Sequence, residues 1–302
     1  MAALGLTIFI GAFLLFQVQP LIGKYILPWF GGAPSVWTTC MLFFQVLLLA
    51  GYAYAHLLSS KLKPRWQAVV QLVLTAAALC LLPAVPSESW KPTGAGDPTL
   101  RILGLLGATI GLPYLVLAAS SPLLQHWFAR MNPGKSPYRL YALSNIGSLL
   151  ALASYPTLFE THLTRQNQAK IWALGMAAYC AGLCVCAWRL RDAKLLDAPG
   201  PERAANLATA DKGEPTAQKR HRSAIDTALW VLLPACASAL LLATTNKMCQ
   251  EVAVVPFLWV VPLGLYLLSF IICFDSPRWY QRLPFGLSLV VVMVAVCWAL
   301  FH

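Results

Sequence analysis

The chain is divided into long stretches that contain no Asp, Glu, Lys or Arg. Nine such stretches, each 18 to 36 residues long, are rich in leucine, valine, alanine and aromatic residues. A helix needs about 20 apolar residues to cross a bilayer core. Lipid offers the backbone no hydrogen-bond partners, so a spanning segment forms a helix in which the backbone N–H and C=O groups bond to each other. We therefore predict an all-α polytopic transmembrane helical bundle of about nine spans. The stretches are 2–23, 25–60, 66–87, 102–129, 140–159, 171–188, 227–246, 252–274 and 283–302.

Composition excludes an ordinary soluble domain. Charged residues make up 11% of the chain and hydrophobic residues 59%, whereas soluble domains have about 25% charged residues. The net charge of +11 is spread over short loops between apolar stretches. It therefore predicts contact with the lipid bilayer and no nucleic-acid binding. The N-terminal residues lack the cationic segment of a secretory signal, so the first stretch is predicted to be a retained span.

The loop charges predict an orientation. Lys and Arg accumulate in cytoplasmic loops. With a cytoplasmic N-terminus, sixteen of the 22 Lys and Arg residues fall in inside loops and six in outside loops. Tryptophans lie near the ends of several stretches, as an interfacial belt predicts. We expect a multi-pass protein of the bacterial inner membrane with its N-terminus in the cytoplasm.

The organisation changes sharply at residues 189–226. These 38 residues hold 14 charged side chains and few large apolar ones, so they predict a flexible cytoplasmic linker that anchors on anionic lipid or binds a partner. The linker separates a six-helix bundle, 1–188, from a three-helix segment, 227–302. This layout is similar to that of the major facilitator superfamily, in which two six-helix halves move about a central site, with half of the second unit missing.

Polar residues inside an apolar span are candidates for function because they are costly in hydrocarbon. In span 1, Gln17 and Gln19 lie beside Pro20, and Lys24 follows one turn later. Pro20 cannot donate a backbone hydrogen bond and so frees the carbonyl of Phe16. Two interpretations stay open. Either the helix breaks and faces a substrate, or it kinks and its amides bond to neighbouring helices.

Span 5 presents a second polar face. Tyr141, Ser144, Asn145 and Ser148 share one side of the helix, and Gly147 adds to a small surface on which helices approach closely. Close packing, with Asn145 bonding across helices, and ligand binding are the two interpretations.

Charged residues also gather at the predicted outer boundary. Lys24, Glu160, Lys247 and Glu251 fall there, and either they neutralise each other as ion pairs or they line an outward-facing pocket. No catalytic residue, metal ligand set or cofactor motif is recognisable, so we expect no enzyme activity within this chain, no cofactor and no metal. The candidate substrate-binding residues are Gln17, Gln19, Lys24, Asn145, Glu160, Asn246 and Glu251.

Several polar-containing strings together resemble one family. They are FLLFQVQPLIGKYILPWFGG at 13–32, VWTTCMLFFQ at 36–45, GYAYAH at 51–56, YALSNIGS at 141–148, YP at 155–156, TTNKMCQEVAVVPFLWVVPL at 244–263 and YLLSF at 266–270. This pattern resembles the membrane region of the bacterial fused transporter–spermidine synthase proteins.

The resemblance implies a major-facilitator-like membrane module related to polyamine synthases. Members of the family continue into a Rossmann-like domain that would bind a decarboxylated S-adenosylmethionine-type cofactor and carry a catalytic Asp. The 302 residues contain no strand with a Gly-rich turn and no acidic catalytic loop, so the resemblance does not extend to aminopropyl transfer. We expect a transporter-like module for a small polar or charged solute. The alternatives are a membrane anchor or partner of a separately encoded spermidine synthase-like protein, and a truncated remnant without function.

Overall fold

The computed structural model describes residues 2–31, 34–92, 98–132, 137–192, 224–251, 256–275 and 281–301. Within these ranges the regular structure is helical and no strand occurs. Eight helices form the N-terminal part and three form the C-terminal part. They are α1 (Ala2–Phe30), α2 (Pro34–Lys61), α3 (Pro64–Cys80), α4 (Thr99–Leu106), α5 (Leu112–Met131), α6 (Tyr138–Ser154), α7 (Glu160–His162), α8 (Arg165–Asp192), α9 (Ala224–Glu251), α10 (Pro256–Asp275) and α11 (Arg282–Phe301).

Among the described residues, two π-helical turns and one 3₁₀ turn connect the helices. The π turn Gly107–Gly111 joins α4 to α5, and the π turn Tyr155–Phe159 joins α6 to α7. The 3₁₀ turn Glu88–Trp90 lies in the connection between α3 and α4. Because these π turns join the helices without a break, α4 and α5 form one continuous helical segment, and α6 and α7 form another.

In the part of the chain that the structure describes, five helical segments are long and apolar enough to cross a membrane. They are Ala2–Phe30, Ser35–Lys61, Thr99–Met131, Tyr138–His162 and Arg165–Leu190, and shorter apolar helical stretches cover Val231–Thr245, Val260–Phe274 and Leu283–Ala295. Large apolar side chains are exposed along these helices, as at Leu49 (70% exposed) and Leu174 (70%). Exposed apolar surface of this extent is typical of a protein whose solvent is lipid. The prediction of an all-α bundle of membrane helices is confirmed at this level.

Helix α1 is the centre of the N-terminal bundle. It packs against α5, α6 and α8, and most of its side chains are buried, including both predicted glutamines. A membrane helix surrounded by other helices need not be apolar, which is why α1 can hold glutamines and threonine.

The helices of the N-terminal bundle alternate in direction. Gly175 of α8 approaches Leu14 of α1, and Gly182, which is later in α8, approaches Thr7, which is earlier in α1. Gly147 of α6 approaches Phe9, and the π turn that follows α6 approaches Lys24, which is later in α1. Helix α8 is therefore antiparallel to α1, and α6 is parallel to it. The C-terminal ends of α1 and α6 and the start of α8 accordingly lie at the same end of the bundle.

Glycine allows the closest of these approaches. A Cβ atom on Gly147 would lie 2.7 Å from the backbone oxygen of Phe9, and one on Gly51 would lie 2.6 Å from Cβ of Ala118. The small face predicted on span 5 is confirmed, because Ser148 and Ala151 beside Gly147 are also buried. Small residues let membrane helices gain dispersion energy over a long contact.

The predicted boundary between the first two spans was wrong. Helix α1 does not end near Lys24 but continues to Phe30, and α2 begins at Pro34. Gly31 has a φ of 88°, the left-handed conformation that commonly ends a helix, and proline favours the first turn of the next one. A single lysine does not interrupt a helix when its ammonium group reaches a polar partner.

The third predicted span is shorter than expected. The stretch 66–87 forms helix α3, which ends at Cys80, and the residues after Leu81 are irregular up to the 3₁₀ turn. Pro83 and Pro86 lie in this segment, and a proline disfavours a helical conformation for the residue before it. Seventeen residues in α3 would cover about 25 Å of bilayer thickness.

The C-terminal helices contact the bundle through α10 (Pro256–Asp275). Helix α10 packs on α6, and α9 (Ala224–Glu251) packs on α10. Aromatic rings carry part of this contact, since Phe274 lies 5.1 Å from Tyr141 between ring centroids. Helix α8 continues to Asp192, beyond the predicted start of the linker, and α9 begins at Ala224. The centre of the linker, 193–223, lies outside the described residues.

Candidate functional site

A polar cluster lies where the C-terminal part of α1 meets the connection between α6 and α8. Its centre is an ion pair in which Nζ of Lys24 lies 3.0 Å from Oε1 of Glu160. The side chains of Lys24 and Glu160 are 27% and 49% exposed, so the pair is reachable from outside the bundle. Of the two interpretations of the boundary charges, ion pairing holds for these two residues. The side chains of Lys247 and Glu251 lie outside the described residues.

The π turn Tyr155–Phe159 places Glu160 beside Lys24. Pro156 lies in this turn and cannot donate to a carbonyl of α6, so the regular helical pattern changes there. The hydroxyl of Thr157 donates to the backbone oxygen of Ala153 at 2.9 Å and so satisfies one nearby acceptor. Glu160 begins the short helix that follows. Such π turns are frequent at functional sites.

Two tyrosines and an arginine surround the ion pair. Nζ of Lys24 lies 5.7 Å from the ring centroid of Tyr155, and the guanidinium group of Arg165 lies 5.3 Å from that of Tyr25. A guanidinium nitrogen of Arg165 also donates to the backbone oxygen of Lys24 at 3.4 Å. Both cations thus lie over aromatic rings, where the ring quadrupole stabilises them.

Gln168 holds the base of the cluster in place. The hydroxyl of Tyr155 donates to Oε1 of Gln168 at 3.0 Å. The amide nitrogen of Gln168 donates to the backbone oxygens of Phe159 and Leu163, at 2.9 Å each. The buried Gln168 therefore joins the end of the π turn, the following loop and α8 into one unit, which fixes Glu160 relative to Arg165.

Replacement of Tyr155 by Phe tests this bracing. The change removes the hydroxyl and leaves Oε1 of buried Gln168 without its donor, which costs about 1–3 kcal/mol for an unsatisfied buried acceptor. Thermal unfolding of purified protein should show a lower melting temperature for Tyr155→Phe. Replacement of the exposed Tyr141 by Phe is the matched control, and an equal loss of stability in both variants would contradict the bracing role.

A second polar group lies deeper in the bundle. Gln71 of α3 is fully buried, accepts a hydrogen bond from the hydroxyl of Tyr54 at 3.1 Å and donates to the backbone oxygen of Val116 at 3.2 Å. On α1, the amide of Gln19 donates to the hydroxyl of Tyr114 at 3.3 Å. These bonds join α1, α2, α3 and α5, and the bond of Gln19 is the one expected of an amide that bonds across helices.

Gln67 joins α3 to α5 one turn before Gln71. It is fully buried, its Oε1 accepts from the indole nitrogen of Trp127 at 2.9 Å, and its amide nitrogen donates to the backbone oxygen of Leu62 at 2.8 Å. Trp127 is therefore a core residue and not part of an interfacial belt. Gln67 and Gln71 were not among the predicted site residues, yet Gln67, Gln71 and Thr75 occur at a spacing of four residues inside an apolar stretch. That spacing places three polar side chains on one helical face.

Of the other predicted site residues, Gln17, Gln19 and Asn145 do not join the cluster around Lys24. Gln17 is buried in the middle of α1, and the helix continues through Pro20 without a break. The amide of Asn145 donates within its own helix, to the backbone oxygen of Tyr141 at 3.0 Å, in place of the expected bond across helices. Asn246 and Glu251 lie in α9, and their side chains are outside the described residues.

A second ion pair, at the surface of the loop between α3 and α4, provides a comparison. Nζ of Lys91 lies 2.9 Å from Oε1 of Glu88, and both side chains are well exposed. The hydrogen bond and positive charge of Lys91 hold the pKa of Glu88 below its ordinary value. Lys91 also lies 5.5 Å from the ring centroid of Trp29. This pair resembles the Lys24 pair in charge but is formed within a single loop.

Comparison of the chain with protein-family models, with curated proteins and with solved structures finds no match.

Proposed function

We propose that the protein is a transporter-like integral membrane protein that binds a small polar or charged solute. The single observation that carries the proposal is the Lys24–Glu160 ion pair, which joins two helical segments and remains partly exposed. An ion pair that is exposed to this extent contributes little to the stability of the bundle, because water screens the two charges. A solute can reach both charges from the end of the bundle and can compete with each of them.

The surroundings of the pair support solute binding. Tyrosine rings, a guanidinium group and a rigid amide lie within one cluster, and small-molecule sites combine such apolar walls with a few polar groups.

We further propose a major-facilitator-like layout of nine spans in a bacterial inner membrane, with a cytoplasmic N-terminus. In that orientation the cluster faces the outside. The excess of Lys and Arg in the loops assigned to the cytoplasm, sixteen against six, supports this orientation.

A static membrane module is the second candidate, and the close packing around α1 favours it. Glycines let three neighbouring helices approach α1 so closely that sliding would meet steric resistance. In this role the bundle would anchor a separately encoded spermidine synthase-like protein, as the family resemblance implies. Co-purification of such an enzyme with the tagged full chain would support an anchor, and absence of any enzyme would count against it.

The transport proposal is tested with the full chain in proteoliposomes. We expect Lys24→Gln, which breaks the ion pair and removes a cation from the cluster, to reduce uptake of a transported solute about tenfold or more, equivalent to 1.4 kcal/mol. The stability of the variant should change by less than about 1 kcal/mol, because the pair is partly exposed. Glu88→Gln, which breaks the surface ion pair, is the matched control and should transport normally. Amino acids, dicarboxylates and polyamines form the solute panel, and a wild-type protein that moves none of them would refute transport of these classes.

A further inference from the structure

We propose that the cluster around Lys24 binds its solute through a carboxylate group, and that Arg165 selects this group. The inference rests on the proposed function, since it names the chemical class of the solute for the same cluster. Four observations carry it: the charge balance, the free donors of Arg165, the unbonded hydroxyl of Tyr25, and the exposure of the ion pair.

The charge balance of the cluster is positive. Lys24 and Arg165 contribute two cations and Glu160 contributes one carboxylate, which already pairs with Lys24. Neither ion pair found between described residues includes Arg165. Lys91, in the loop between α3 and α4, differs from Arg165 because it is paired with Glu88. One positive charge therefore remains without an acidic partner in the described part of the chain, and an anionic group would compensate it.

Arg165 has the donors to bind that group. Its side chain is exposed, and the hydrogen bond to the backbone oxygen of Lys24 involves one of its five N–H groups. The contact with the ring of Tyr25 and the bond to Lys24 hold the guanidinium group in one place. A planar guanidinium group matches the two oxygens of a carboxylate, and it loses little entropy on binding when it is already held.

The hydroxyl of Tyr25 lacks a partner within this cluster. Tyr25 is 93% buried, given its exposed fraction of 7%, and its Oη atom makes no hydrogen bond. The guanidinium group of Arg165 lies 5.3 Å from the centroid of the Tyr25 ring. Buried hydroxyl groups without a partner are uncommon and costly. A carboxylate bound to Arg165 would accept the hydroxyl hydrogen of Tyr25 and remove that cost.

The same geometry disfavours a free polyamine at this cluster. An ammonium group that approaches Glu160 meets Lys24 at 3.0 Å from the carboxylate, with Arg165 nearby. Both tyrosine rings that could stabilise a cationic solute already have a cation of the protein over them. A diamine would have to displace these cations, whereas a carboxylate adds to them.

Succinate and putrescine test the inference because they share a four-carbon chain and carry opposite charges. Each is added at about 10 mM, above the usual range of substrate constants, to the purified full chain in detergent at matched ionic strength, and thermal unfolding is followed. We expect succinate to raise the melting temperature and putrescine to leave it unchanged. Arg165→Gln should abolish the succinate shift, and Arg165→Lys should retain part of it. Tyr25→Phe should weaken succinate binding about 3- to 10-fold, as expected for one lost hydrogen bond.

Three results would overturn the inference: a shift with putrescine and none with succinate, no shift with either compound, or an equal succinate shift in wild type and Arg165→Gln. If Arg165→Gln fails to fold, the affinity of Tyr25→Phe decides in its place. Glu88→Gln serves as the control for unspecific charge effects. Succinate binding without uptake in proteoliposomes would refute transport and retain the carboxylate site. Uptake that Arg165→Gln does not change would refute the site and retain transport.

Discussion

Replacement of Gly147 by leucine is expected to prevent assembly of the N-terminal bundle. Even an alanine Cβ at this position would lie 2.7 Å from the backbone oxygen of Phe9, and a backbone atom cannot move aside as a flexible side chain can. Overpacking of a close contact costs about 1–3 kcal/mol, so Gly147→Ala should lower the melting temperature clearly. Gly147→Leu adds three more carbon atoms at the contact of α6 with α1, and we expect it to reduce the yield of monodisperse protein to a small fraction of wild type.

Gly286 provides the matched control for this prediction. It also lies in an apolar helix, α11 (Arg282–Phe301), but a Cβ atom there would meet nothing within 4 Å. Gly286→Ala and Gly286→Leu should therefore leave yield and melting temperature close to those of wild type. Size-exclusion chromatography and thermal unfolding in the same detergent measure both pairs. Similar losses at Gly147 and Gly286 would show that the close approach of α1 and α6 does not determine assembly.

Replacement of Gln67 by leucine is expected to have the second largest effect. Leucine has a similar volume, but it leaves the indole nitrogen of the fully buried Trp127 without its acceptor. The backbone oxygen of Leu62, an exposed residue, also loses its bond to Gln67 but can be hydrated. Thermal unfolding should show a destabilisation of about 1–3 kcal/mol, the cost of one unsatisfied buried group.

A double-mutant cycle separates this loss of hydrogen bonds from a loss of packing. Trp127→Phe removes the indole donor, so the combination of Gln67→Leu with Trp127→Phe should cost less than the sum of the two single changes. Replacement of the exposed Gln166 by leucine is the control for added apolar surface and should leave the free energy of unfolding nearly unchanged. Additive costs in the cycle would contradict the hydrogen bond as the source of the effect.

The helical segments could be predicted largely from absent charges. Removal of a charge from water into lipid is costly, so charge-free stretches of about 20 residues give the positions of membrane helices directly. The boundaries were less predictable. Lys24 interrupts the charge-free pattern but not the helix, because its ammonium group reaches Glu160, which is remote in sequence. The end of α1 depends instead on Gly31, whose conformation the apolar pattern does not reveal.

The candidate site could be predicted only in part. Lys24 and Glu160 were recognisable as boundary charges, but their pairing depends on the parallel arrangement of α1 and α6 and on the π turn at Pro156. Gln67 and Gln71 were recognisable only by their spacing, since their partners come from other helices. Arg165 looked like an ordinary loop cation until its contacts with Tyr25 and Lys24 were known.

The sequence alone determined that this protein is a bundle of apolar helices, and it divided the basic loops into two groups. Both results follow from the free-energy cost of placing a charge in lipid, which applies to each segment independently of the others. The tertiary structure decided which polar residues meet, because hydrogen bonds and ion pairs between helices depend on direction, register and close approach. Glycines at the contacts of α1 set that approach, and they bring Lys24, Glu160, Tyr25 and Arg165 into one cluster.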